Sequence, residues 1–591
     1  MKQFFKYVAA TIVGLLLFGL LMTVMFIGTV GSLAAMSDSK GEVKKNSVLV
    51  LNLSGTTTEQ AEENVFAALM GESTSAKGLN DILSAIKKAE EQKDIKGIYL
   101  ETGAFAPDSW ASLSAIRHQL SQFRKSGKWI IAYGDAYTQS AYYLASVADK
   151  VYLNPQGMID LHGLAAQPLY VKDMLQKFGV RMQVAKVGAY KSATEMFTGD
   201  RMSEANREQV TAYITQIWNT AVKDIADSRK ISQDSVNAWA DRYAALSDPK
   251  DYVQAKLVDG LLYTDQIKPE IRKRLGIGKD DDICSLRLED MKSIRKKDAL
   301  KGDKIAVYYA YGSIVDGAAS NPMSQEHVID AQVVCKDLEK LAENDKIKAV
   351  VLRINSGGGS AYASEQIWHQ VAELKKQKPV VVSMGGMTAS GGYYIACNAD
   401  YIYAEPLTLT GSIGIFGMFP DFSGLITDKL GVKFDEVKTN KHSGMGTLSR
   451  PFNEEEMALL NKYIERGYSL FRQRVADGRK LTVEQVEEIA QGHVWTGQDG
   501  KRIRLVDELG SLDDAIAKAA RLAKVEKYHP VSYPAPASWT DQLISKVSGN
   551  NYLDERLKAL TGDYYECFSL LKTLDRQNCI QARVPFYISI R

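Results

Sequence analysis

The stretch Tyr142-Tyr143-Leu144-Ala145, followed by Ala148-Asp149-Lys150-Val151-Tyr152 and Pro155, returns as Tyr393-Tyr394-Ile395-Ala396, Ala399-Asp400-Tyr401-Ile402-Tyr403 and Pro406. The offset is a constant 251 residues. A second echo, Ala226-Asp227-Ser228-Arg229-Lys230 against Ala476-Asp477-Gly478-Arg479-Lys480, runs at 250. A period this long marks duplicated domains, because solenoid repeats recur within a few tens of residues. The copies keep different residues. The second has Thr410-Gly411-Ser412-Ile413-Gly414, a hydroxyl in a glycine-flanked turn, where the first has Leu161. The first has Gly188-Ala189-Tyr190-Lys191-Ser192-Ala193, a lysine in a loop of small residues. One active site divided between the halves is the simplest reading.

Around that repeat the elements alternate. Ser47–Leu53 reads as the first strand of the first half, and Lys304–Tyr309 as its counterpart. Helical stretches near 79–92 and 330–343 lead to strands at Ile95–Leu100 and Ile347–Ile354. Further strands at Trp129–Tyr133 and Pro379–Ser383 precede the helices carrying the Tyr-Tyr pairs. Strands alternating with helices give parallel sheets in an α/β fold. The chain divides into a short flank (1–7), an apolar span (8–36), a polar linker (37–46), a first repeat (47–265), a charged connector (266–303), a second repeat (304–533) and a tail (534–591). The tail has helical spacing at Leu543, Val547, Leu553, Leu557 and Leu560, suited to an oligomer contact or a membrane surface.

Val8 to Met36 holds no charged residue. It exceeds the ~20 residues that span a bilayer and is about twice a signal-peptide core, so it reads as an uncleaved transmembrane signal-anchor. The expected location is the inner membrane, with the bulk of the chain on the periplasmic side. A net charge of +2 over 591 residues gives no support to a nucleic-acid partner. The five cysteines fit no zinc or redox spacing, and neither metal nor other cofactor is expected. Cys397 reads as core, and Cys567–Cys579 is a conceivable bridge.

Three glycine-rich features of the second half belong together: Arg353-Ile354-Asn355-Ser356-Gly357-Gly358-Gly359-Ser360, Ala389-Ser390-Gly391-Gly392-Tyr393-Tyr394, and Thr410 to Gly417. Glycines let backbone N–H groups approach a ligand closely, as an oxyanion hole requires. This set resembles the signal peptide peptidase A family. Gly188-Ala189-Tyr190-Lys191-Ser192-Ala193-Thr194-Glu195 is similar to the lysine motif of its long, two-domain form. The resemblance runs from the apolar span to about residue 530 and includes Gln491-Gly492-His493-Val494-Trp495-Thr496-Gly497 ahead of Leu505-Val506-Asp507. It implies tandem Clp protease/crotonase-like ββα-spiral domains assembled as a homotetramer. It also implies a Ser–Lys serine endopeptidase cutting hydrophobic peptides such as remnant signal peptides. By resemblance Ser412 is the nucleophile and Lys191 the general base, with the amides of Gly358 and Gly359 as the oxyanion hole. The family's proline in that turn is replaced here by Gly357.

The chemistry is consistent on its own terms. A lysine with an ordinary pKa near 10.4 is neutral in roughly one molecule in two thousand at pH 7. Lowering that pKa by about 3 units costs ~4 kcal/mol, which burial away from carboxylates supplies. Glu195 is therefore expected to point away from Lys191. Two serines compete with Ser412: Ser390, at a helix start like that of the nucleophile in related Clp-type proteases, reads better as a helix cap, and Ser360 as a residue ordering the glycine turn. Lys441 or His442 is the competing position for the base. Two other classes stay open from the residues alone: an acyl-thioester enzyme on a crotonase-like fold, and a non-catalytic peptide-binding scaffold.

Overall fold

The computed structural model describes residues 43–61, 77–294, 302–317, 327–535 and 580–584, with scattered positions between 3 and 25. The apolar span, the helical spacing of the tail, Cys567 and Cys579 lie largely or wholly outside the described residues. Among the described residues, no helix is long and apolar enough to cross a membrane.

In the first half the chain runs β1 (Ser47–Thr58), α1 (Leu79–Glu91), β2 (Ile95–Ala106), α2 (Trp110–Lys125), β3 (Trp129–Gly134), α3 (Gln139–Ala145) and β4 (Lys150–Leu153). The strands β1-β2-β3-β4 pair in that order, all parallel. Their central stretches, Val48–Leu51, Ile98–Leu100 and Ile130–Ala132, are apolar because helices cover them, as parallel sheets demand. Then come β5 (Arg181–Lys186) and the long α4 (Glu204–Arg229). The charged stretch expected to be a connector is built into this half: Ser285–Leu286 extends the sheet beside β1, and Leu288–Ser293 forms a helix.

The second half repeats the order with β6 (Asp303–Tyr311), α5 (Ala331–Glu343), β7 (Ile347–Ser356), β8 (Gly358–Ser360), α6 (Ala361–Lys375), β9 (Val380–Ala389), α7 (Gly391–Ala396) and β10 (Tyr401–Ala404). It continues through β11 (Leu409–Gly411), β12 (Phe416–Asp421), α8 (Glu454–Arg479), β13 (Val494–Thr496), α9 (Leu512–Leu522) and β14 (Tyr528–Tyr533). Its sheet runs β13-β11-β9-β7-β6-β14.

The duplication is visible in side chains. Tyr142 and Tyr393 are buried, and each donates its hydroxyl to a backbone carbonyl, of Leu257 and Leu505. The helices α4 and α8 are both 26 residues long and end on a left-handed lysine, Lys230 and Lys480. Arg229 and Arg479 then pair with Asp259 and Asp507.

A third sheet joins the halves. Its order is Val328–Asp330, Ser313–Val315, β8, a short C-terminal strand β15 (Ile580–Arg583), β12, β5. β5 of the first half lies antiparallel on β12 of the second, from Lys186 opposite Phe416 to Arg181 opposite Asp421. The first-half core also takes in Ala389, Leu407 and Leu409 of the second. The halves thus share an interior, and β5 delivers the loop that follows it to the second half's glycine-rich turns.

Candidate active site

That loop is Gly188–Lys191, seated against the segment that precedes β13. Tyr190 N–H donates to the Gln491 carbonyl at 3.0 Å. Gly188 has φ +103 and packs so tightly on Gln491 that a side chain there would collide with its backbone. Gln209 on α4 clamps both parts: its amide nitrogen reaches the Tyr190 carbonyl and Ser192 Oγ, each at 3.1 Å, while its oxygen accepts Val494 N–H at 3.1 Å. The His493 ring stacks on Trp495 at 3.8 Å and lies 4.3 Å from Tyr190. These ties leave Lys191 one direction to extend, inward.

Lys191 is fully buried. Its Nζ lies 2.9 Å from Ser412 Oγ, 2.8 Å from Ser390 Oγ and 3.1 Å from the Ser412 carbonyl oxygen. Burial alone pushes its pKa well below the usual lysine value. Glu195 turns away, as a neutral amine needs despite its nearness in sequence: its carboxylate accepts from Ser203 N–H, Ser203 Oγ and Asn206 Nδ2. A neutral amine has two N–H donors and one lone pair. The carbonyl must take one donor, so of the two hydroxyls one accepts the second N–H and the other donates to the lone pair. A hydroxyl that donates to a neutral amine is an activated nucleophile.

Sequence reading took the second serine of this cluster, Ser390, for a helix cap. Ser390 does not cap α7, because its side chain makes no capping bond. Its backbone is strained, at φ 53° and ψ −115°, a conformation costing on the order of 1–3 kcal/mol in a non-glycine residue. The signal was its place between β9 and α7 in Ala389-Ser390-Gly391. Ser412 also has positive φ (50°), and its N–H donates to the His493 carbonyl at 2.6 Å. Ser360 does order the glycine turn, capping α6 by accepting Ala363 N–H at 3.2 Å.

The turn itself lies beside Ser390. Gly358 has φ +99, and a side chain there would meet the Gly391 nitrogen at 2.8 Å and collide with the Ala582 carbonyl. The Gly358 amide donates to Ser356 Oγ at 3.1 Å, and Gly359 stands opposite Ala582 in the ladder with β15. The first half has no equivalent: the 251-residue offset puts Gln139 and Leu161 at the serine positions and Ala106-Pro107-Asp108 at the glycine turn. Lys441 is remote, 70% exposed and paired with Glu455 at 2.6 Å; His442 lies 3.8 Å from the same carboxylate. Among the described residues no group of His, Cys, Asp and Glu could hold a metal ion.

Comparison with known proteins identifies the family. The profile of Peptidase family S49 matches residues 122–278 and 372–526, and that of Clp protease matches residues 320–406. Protease 4 of Salmonella typhi is 37% identical over 87% of this chain and 84% of its own length. Protease 4 of Haemophilus influenzae is 35% identical, covering 90% of this chain and 88% of its own. The chloroplastic serine protease SPPA of Arabidopsis thaliana is 30% identical over 88% of this chain and 76% of its own length. With a duplicated, Clp-protease-like α/β architecture and matches in both halves, this chain is a serine peptidase belonging to peptidase family S49.

Proposed function

We propose that the chain is a membrane-anchored endopeptidase that cuts extended hydrophobic peptides, remnant signal peptides among them, with a catalytic pair drawn from both halves. The observation that carries this reading is the buried Lys191 amine bridging two serine hydroxyls. Lys191 is the general base and acid. Of the two serines, the geometry favours Ser390 as the nucleophile over Ser412, the position suggested by family resemblance. Ser390 carries the backbone strain of a nucleophile held at a strand-to-helix turn. The amide that follows it, Gly391, lies beside Gly358 and the Ala582 carbonyl, where an attacked carbonyl would sit. Ser412 then fixes the lysine through its hydroxyl and carbonyl.

Ser390 Oγ attacks the peptide carbonyl as Lys191 takes its proton. Negative charge builds on the carbonyl oxygen, facing the amide of Gly391 and the Gly358–Gly359 turn. The 3.1 Å bond from Gly358 N–H to Ser356 Oγ is long enough to exchange for that stronger acceptor. Collapse expels the amine, protonated by Lys191, and a water repeats the sequence on the acyl-enzyme. The residues suggested for anchoring (8–36) and a tetrameric assembly complete the reading. Assembly is supported by exposed apolar side chains at Val432, Phe434 and Val437.

The test is casein hydrolysis with fluorophosphonate labelling and peptide mapping. Label on Ser390 is expected, with Ser390→Ala and Lys191→Ala inactive and Ser412→Ala retaining a fraction of turnover. Label on Ser412 would exchange the serine roles, and absence of both labelling and hydrolysis would overturn the assignment.

A further inference from the structure

The sheet that joins the halves has a strand it does not need for their union. β15 (Ile580–Arg583) lies between β8 and β12 and is antiparallel to both. Against β8, Gly358, Gly359 and Ser360 stand opposite Arg583, Ala582 and Gln581. Against β12, Phe416 and Gly417 stand opposite Gln581 and Ile580. Val584 N–H extends the ladder to the Gly357 carbonyl at 2.7 Å. Neighbouring strands lie about 4.8 Å apart. Without β15, two open edges would therefore face each other across a slot one extended chain wide.

This slot runs past the catalytic cluster. Its β8 wall is the glycine turn, and its β12 wall begins four residues after Ser412. Gly358 is explained by it, since a side chain there would strike the Ala582 carbonyl; a side chain at Gly359 would strike the Ile314 carbonyl of the strand on the other side of β8. Successive strand residues face opposite sides. Ala582 is fully buried in the second half's core, and Val584 is 7% exposed against the first half's. Between them, Arg583 reaches Ser313 Oγ at 3.1 Å.

We infer that the slot is the substrate cleft and that the chain's own C-terminal strand is its resident ligand, a pseudosubstrate that incoming peptides must displace. The inference rests on the Ser–Lys reading of the neighbouring cluster. It also defines the preferred substrate: an extended peptide with a small aliphatic residue at the Ala582 position and a medium apolar one two residues on. A backbone paired on both edges gives affinity that ignores sequence, and the alternate pockets supply selection.

The test compares full-length enzyme, full-length Ala582→Trp and a chain ended after Asn578, using a short fluorogenic peptide. Trp does not fit the buried Ala582 site, so both variants should raise kcat/KM about fivefold or more, mainly through KM. The peptide Ile-Gln-Ala-Arg-Val should inhibit both competitively, and its Ala→Trp version should not. Unchanged or lowered kcat/KM in both variants overturns the inference. Fluorescence anisotropy with Ser390→Ala/Ser412→Ala chains separates the two readings. Labelled Ile-Gln-Ala-Arg-Val bound by the truncated chain but not by full length supports the pseudosubstrate even if no variant hydrolyses anything. Hydrolysis without such binding sinks the pseudosubstrate alone.

Discussion

Lys191 is held where an ammonium is least welcome, and this fixes both its chemistry and its cost. Its folded pKa lies below the usual value, so below pH 10.5 the unfolded chain binds more protons than the folded one. Stability therefore rises with pH between the depressed folded pKa and 10.5. Lys191→Met keeps an unbranched chain of similar length and removes the amine. It is expected to abolish casein hydrolysis and to raise the melting temperature at pH 7.5, with the gain shrinking toward pH 10.5. Calorimetry across that range checks the sign, and a variant less stable than wild type at pH 7.5 would contradict it. Activity of the wild type should climb from neutral into mildly alkaline pH as the amine deprotonates. A rate that falls between pH 7 and 8.5 with the protein folded would exclude a lysine base. The lysine was legible in the sequence because small residues crowd around it in a loop with no counterpart in the other half. The second serine was not, since Ser before Gly-Gly at a helix start has the same composition as a cap. Only the distance to Lys191 and the positive φ distinguish the two.

At the scale of elements, the base is placed by a segment 300 residues further along. Gly492 has φ +82, and a side chain there would meet the Lys191 nitrogen at 2.6 Å and its Cα and Cβ at 2.7 Å. Gly492→Ala must therefore push the lysine loop away from the serines. A displacement of even about 1 Å from productive geometry can cost roughly 100-fold. The expected outcome is kcat lowered about 100-fold or more, with circular dichroism unchanged. A variant of near-normal kcat would show that the Gln491–His493 segment does not position the lysine. The alternating strands and helices of both halves could be read from apolar runs and turn residues. β15 could not, because four residues, even alternating apolar and polar as Ile580-Gln581-Ala582-Arg583 do, are too short to carry a strand signal until two waiting edges pair with them.

For the molecule as a whole, the halves are joined by charge as well as by the shared sheet. Glu59 on the first half and Arg353 on β7 form a 2.9 Å ion pair, 3% and 5% exposed. Arg353 also donates to Ser383 Oγ and the Met384 carbonyl. Glu59→Ala leaves a buried guanidinium without its counter-charge, a change that typically costs about 3–5 kcal/mol. Chemical denaturation should register that loss, and Glu59→Ala/Arg353→Met should recover part of it. A single variant as stable as wild type would mean that water reaches Arg353. The exposed pair Lys87–Asp513, also between halves, should contribute little on removal.

The 199 residues separating Lys191 from Ser390 also order events in time. Synthesis proceeds at about 5–20 residues per second, and N-terminal domains fold first. A nascent first half therefore waits about 10–40 seconds with a base and nothing for it to activate. The strand that fills the slot is made after both halves, so the peptidase gains its own occupant only once its catalytic residues are in place.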